Sequence, residues 1–161
     1  MRRKNGWRCG STILTLVWLA GWTLSSCGYG RNQLQELSNE SLTLTQQAGN
    51  RALSAEGRLR IAQELFQHRH AYEPIIQHPS AAARDQQPAR TLQRSDADNA
   101  GAAMHAIAEE FLVNGETDKA RAVYYSIMTL FADEEYVSIR KTAESQLQEL
   151  DDKERRKKAL R

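Results

Sequence analysis

The sequence predicts an all-α protein, a small antiparallel helical hairpin or bundle behind a polar, partly helical N-terminal stalk. Three observations predict it. Apolar residues recur at helical spacing in several separate stretches, glycine and proline punctuate the chain between them, and charge in the last stretch suits a helix dipole.

Taken in chain order, the start is not part of that domain. Residues 1–8, MRRKNGWR, carry Arg2, Arg3, Lys4 and Arg8 and no acid, and Ser11 to Leu24 carry no charge. A basic region followed by an apolar run of about 14 residues is the pattern of an export signal. The uncharged stretch from Cys9 to Gly30, about 22 residues, is also long enough for an uncleaved anchor. Leu24-Ser25-Ser26-Cys27 separates these two readings. An aliphatic residue, two small residues and a cysteine at the end of such a run resemble the lipobox of bacterial lipoproteins. The resemblance implies a diacylglyceryl group on the Cys27 thiol and signal cleavage between Ser26 and Cys27. It also implies attachment to a membrane through that lipid. Two or three acyl chains anchor stably, at about 0.8 kcal/mol per buried methylene. Gly28 rather than Asp follows the cysteine, which by the same resemblance favours the outer membrane of the bacterial envelope.

Cleavage changes the charge. Residues 1–26 hold four of the 22 basic residues and none of the 20 acidic ones, so the mature chain carries 18 and 20, net −2 instead of +2. A basic precursor is therefore no sign of nucleic acid, and none is expected as a partner. Trp7, Trp18, Trp22 and Cys9 leave with the signal, so the mature chain has one cysteine and no intramolecular disulfide.

Residues 27–54 read as a tether and stalk. Their leucines are unevenly spread, and Thr43, Thr45 and Gly49 lower helix propensity. A stronger helix is expected within 55–77, where Leu59, Ala62 and Phe66 fall at i, i+3 and i+7 with Ile61 and Leu65 beside them. Pro74 should end it. Residues 78–95 hold Pro79, Pro88 and, alanines aside, a single apolar residue, Leu92; they read as a flexible linker.

Residues 96–161 carry the clearest pattern. Ser95 or Asp96 is expected to cap a helix with Met104, Ile107, Ala108, Phe111 and Leu112 on its apolar face, closed by Asn114-Gly115. Ala120, Val123, Tyr124, Ile127, Met128 and Phe131 form the stripe of a second. Asp133 is expected to cap a third, acidic at Glu134 and Glu135 and basic at its KERRKK end, Lys153 to Lys158.

Residues 101 to 134 resemble one tetratricopeptide unit, two antiparallel helices in about 34 residues. Ala108 and Ala120 stand at the small contact positions, Phe111 and Tyr124 at aromatic ones, and Gly115 at the turn. Met104 and Ala132 depart from the usual aromatic and closing proline. The resemblance implies protein binding through the first helix, at Ala102, His105, Glu109 and Leu112. The Lys and Asn of carboxylate-clamping members are replaced by His105 and Glu109, so that specificity does not carry over.

Chemistry is otherwise sparse. His68-Arg69-His70 would diverge by about 200° on a helix, so no metal site is expected there. Glu109-Glu110 and Glu134-Glu135 diverge by about 100° and are no acid–base pair. No nucleophile elbow, zinc-protease motif or phosphate loop is present. The expectation is a non-enzymatic envelope lipoprotein without cofactor. It would bind another envelope protein through His105, Glu109 and Leu112, in an assembly or secretion complex. The alternatives are a structural spacer or a small metal-dependent enzyme.

Overall fold

The computed structural model describes residues 31–78 and 83–160. The expected signal, the cleavage position at Ser26 and the acylated Cys27 lie outside the described residues. Within them the protein is all-α, built from five long helices and one short one. Helix α1 covers 31–48 and α2 covers Ala55–His68; a 3-10 turn (Arg69–Tyr72) leads into the short α3 (Glu73–Gln77). The long α4 (Ala83–Val113) and α5 (Thr117–Leu130) follow, then a second 3-10 turn (Glu134–Tyr136) and α6 (Val137–Ala159).

Helix α4 is the central element. Its 31 residues reach about 46 Å at 1.5 Å per residue, and α2, α3, α5 and α6 all pack on it. The main core joins Leu65 and Phe66 of α2, Met104, Ile107 and Phe111 of α4, Val123, Tyr124 and Ile127 of α5, and Leu147 and Leu150 of α6. A smaller cluster at the other end of α4 holds Tyr72, Ile75 and Ala89, with Leu34 and Leu37 of α1 and Leu92 packed on it.

Local chemistry sets the helix ends. Ser54 caps α2, its hydroxyl accepting from the Gly57 N–H at 3.1 Å. At the end of α4 the Glu116 N–H reaches the Phe111 carbonyl and the Gly115 N–H that of Leu112, a Schellman closure with Gly115 at φ 80°. Helix α5 then folds back, and α6 is held by an aromatic group. Phe66 and Phe131 lie 4.4 Å apart, Tyr136 stands edge-on to Phe131 at 5.6 Å, and the Arg69 guanidinium covers Phe66 at 4.2 Å.

Several expectations change. The linker expected over 78–95 is helix from Ala83 onward, continuous with the apolar stretch after it. Its inward positions are Ala89, Ala97, Ala100 and Asp96, all fully buried; alanines and an acid give little apolar signal, yet they let helices close in. Pro88 lies in the second turn of α4, where the N–H it lacks removes a single helix bond. Asp96 is mid-helix and caps nothing. Nor is the stalk free-standing. Leu34, Leu37, Ser41, Leu44 and Ala48 form one inward stripe of α1, with Ser41 and Ala48 buried. Asp133 makes no side-chain capping bond, and α6 begins after the intervening turn.

Helices α4 and α6 approach closely at Gly101. A Cβ on Gly101 would meet Ile139 Cγ2 at 2.9 Å. Gly101→Ala is therefore expected to destabilise the protein in urea unfolding by about 1–3 kcal/mol, overpacking outweighing alanine's better helix propensity. With Ile139→Ala present, the same change should instead stabilise by up to about 1 kcal/mol.

Candidate functional site

The residues expected to bind a partner lie on α4, and the structure separates their environments. His105 is half-buried against α6, its Nε2 at 3.2 Å from the Ile139 carbonyl, and its ring lies 5.9 Å from that of Tyr124. Leu112 is partly buried and packs on the core. Glu109 is exposed. Its neighbour Glu110 turns instead to the buried Arg58 of α2, 2.5 Å away, as the 100° step between adjacent helical residues requires. Thus α6 covers part of the face that the sequence offers as a groove.

The histidines diverge as helix geometry demands. His70 pairs with Glu73 at 2.6 Å on the surface, while His68 turns inward. Among the described residues no three His, Cys, Asp or Glu side chains stand together as a metal-binding group.

The inward turn of His68 leads to a polar centre that the sequence did not disclose. Asp96, fully buried on α4, receives the Ser41 hydroxyl of α1 on Oδ1 and the His68 imidazole of α2 on Oδ2, the latter at 2.8 Å. Three helices thus meet at one carboxylate. The His68 side chain is only 10 % exposed, and its Nε2 points out toward Glu40 Oε2 at 3.3 Å. Tyr72 packs its ring edge-on to His68 at 5.5 Å, with its hydroxyl 3.4 Å from the Leu37 carbonyl. Burial, then the negative charge of Asp96, pushes the Tyr72 hydroxyl upward in pKa.

Above His68 lies an open groove of about 640 Å³ between α1 and α2. Asn39, Glu40, Thr43, Leu44 and Gln47 line one wall, and Glu64, Gln67 and His68 the other. Each set shares one face of its helix. Among the described residues no lysine or arginine lines the groove. Glu40 reaches only His68, and Glu64 has no ion pair among the described residues. The arrangement can present carboxylates, amides and one imidazole nitrogen over a leucine. It holds no nucleophile beside a base, since the Ser41 proton is directed to Asp96 and Thr43 Oγ1 to the Asn39 carbonyl.

No protein-family model, curated protein or solved structure matches the chain. Its chemistry is read from its own residues.

The members of this centre stand out only once the inward stripes of the helices are known. Ser41 interrupts the stripe Leu34–Leu37–Leu44–Ala48, and Asp96 interrupts the alanine stripe of α4. Each is a polar residue at an inward position. Neither stripe is apolar enough to be recognised as one before the helices are known to pack.

Asp96→Ala leaves two buried donors without an acceptor, so it is expected to cost about 3–5 kcal/mol, read by urea unfolding, with amide exchange in α1 rising first. A second outcome concerns alkali. Burial, helped by Glu135 and opposed by Arg69, pushes the Tyr136 hydroxyl up to about 12, and burial also raises Tyr124. The folded state holds these protons more tightly than the unfolded chain, so their stabilisation is complete below the unfolded value of about 10 and is lost as pH climbs through the folded values. Unfolding titrations should show stability falling from about pH 10 upward, by at most about 1.4 kcal/mol per pH unit per tyrosine, with a shallower fall in Tyr136→Phe.

Proposed function

We propose that the protein is a bacterial envelope lipoprotein, tethered through acylated Cys27, that acts as a protein–protein interaction or scaffold module. The observation that carries this reading is Leu24-Ser25-Ser26-Cys27 behind a basic start and an uncharged run. Gly28 favours the outer membrane. Among the described residues no helix is long and apolar enough to cross a membrane. Cleavage before Cys27 would remove the apolar run and leave the lipid as the attachment.

The interaction half of the reading rests on the helical hairpin of α4 and α5. Ala108 and Ala120 are fully buried at its contact, Phe111 and Tyr124 are buried beside them, and Gly115 closes the turn. These features support kinship with a tetratricopeptide unit; a 31-residue first helix departs from it. Packing of α1 onto the bundle weighs against a simple extended spacer. A tether confines the bundle to one surface, raising its effective concentration toward a partner there.

In cells fed a fatty-acid analogue, the wild-type protein is expected to take up label and sediment with membranes. Cys27→Ser should carry no label, and globomycin should leave the precursor uncut. A full-length, unlabelled wild-type chain recovered from cells would overturn the reading.

A further inference from the structure

His68 stands between carboxylates of two other helices. Its Nδ1 lies 2.8 Å from Asp96 Oδ2 on α4, and its Nε2 lies 3.3 Å from Glu40 Oε2 on α1. An ionised carboxylate only accepts, so both ring nitrogens must carry a proton for both contacts to be favourable. The imidazolium meets that demand by itself, with one donor for each helix. A neutral ring meets half of it. Asp96 is fully buried and keeps the Nδ1 proton, since losing that donor would leave a buried charge short of a partner. The loss therefore falls on Glu40, which then faces a second acceptor across the same gap. The other groups around the ring supply no substitute donor. Glu64 on α2 is a further carboxylate, Tyr72 of the 3-10 turn stands edge-on, and Arg69 lays its guanidinium over Phe66.

Glu40 belongs to a lightly held helix. Of the inward residues of α1 only Ser41 and Ala48 are buried, while Leu34, Leu37 and Leu44 are half-buried. Its polar ties to the bundle are Ser41 to Asp96, Glu40 to His68, and the Leu37 carbonyl to the Tyr72 hydroxyl. We propose that the second proton of His68 is a pH-sensitive latch on α1. Charged, the ring ties Glu40, and with it α1, to the bundle. Neutral, it opposes that contact, and α1 opens locally while the other long helices stay packed. Docking and the proton favour each other, so docking weakens as pH rises through the titration of the ring. Opening uncovers Tyr72, Ile75 and Leu92, the apolar cluster on which Leu34 and Leu37 pack. For a chain tethered at Cys27 it also lengthens the link between anchor and bundle. The latch itself does not rest on acylation, so the two readings can fail separately.

The test uses the full chain in non-ionic detergent, with 15N-labelled histidine, scanned over about pH 5 to 8, where imidazoles change charge. Ring 15N shifts report the second proton of His68. Hydrogen exchange read by mass spectrometry, corrected for its intrinsic pH dependence, reports helix opening. Protection of α1 is expected to fall about three- to fivefold as His68 becomes neutral, the weight of one partly exposed ion pair, while peptides from α5 keep theirs. Glu40→Gln offers a partner to either state of the ring, because its carboxamide donates to a bare nitrogen and accepts from a protonated one. In that variant the response of α1 should shrink below about 1.5-fold. Glu64→Gln removes a neighbouring charge without breaking a contact of the ring, and it should respond as the wild type does. Both carboxylates face solvent, and circular dichroism confirms that each variant is folded. The proposal is overturned if His68 loses its second proton with α1 protection unchanged, or if the ring keeps one charge state throughout. It is equally overturned if α5 loses protection in step with α1, or if Glu40→Gln responds as the wild type does.

Discussion

A carboxylate taken fully out of water must find donors, and Asp96 is such a carboxylate. Its two partners come from different helices, Ser41 from α1 and His68 from α2. That requirement fixes the register of both against α4. A slide of α1 by one turn would leave Asp96 facing Leu37 or Leu44, and the uncompensated charge would cost several kcal/mol. The gain over an apolar core of equal shape is small or nil; what the pair supplies is uniqueness of arrangement. The groove above His68 exists because those two helices are held where the carboxylate needs them.

Small residues do the complementary work. Helix α4 is long and poor in large apolar side chains over its first half, so its neighbours can come close only because Ala89, Ala97, Ala100 and Gly101 leave room. The second half reverses this, with Met104, Ile107 and Phe111 filling space between α2 and α5. The same helix therefore supports two kinds of packing, tight backbone approach near its start and side-chain interdigitation near its end. The Arg69 clamp over Phe66 and Tyr136 ties the end of α2 to the α5–α6 turn and closes the bundle around α4.

The placement of charge bears on the proposed tethering. Helix α1 starts beside α3 and the first turns of α4, whereas the last third of α6 lies against the start of α5, where Arg121 meets Asp151 and Glu154. The basic end of α6 is thus far along the bundle from the first described residue. Lys153 and Lys158 pair with Glu149 and Glu154, which leaves Arg155, Arg156 and Lys157 without ion pairs among the described residues.

Sequence by itself determined that the protein is helical, where α2 begins, where α5 runs, and where Gly115 closes the long helix before α5; the end expected for α2 at Pro74 was wrong, since α2 stops at His68 and Pro74 sits in the first turn of α3, where its missing N–H costs nothing. Those features are local, since 3.6-residue periodicity, a cap or a left-handed turn residue is decided within a few positions of the chain. It also placed Phe111, Ala108, Ala120 and Tyr124 in the core. Only the tertiary structure decided that 83–95 is helix and that α1 belongs to the bundle. Both segments bury alanine, serine and aspartate, whose inward role is set by what they face. The polar centre at Asp96 was likewise beyond the sequence, because its three members are separated by 28 and 55 residues and meet only when three helices pack. His105 shows the converse: the sequence offered it as a partner-binding position, yet it is half-buried with α6 against it, and no local pattern records which neighbour will cover a helix face.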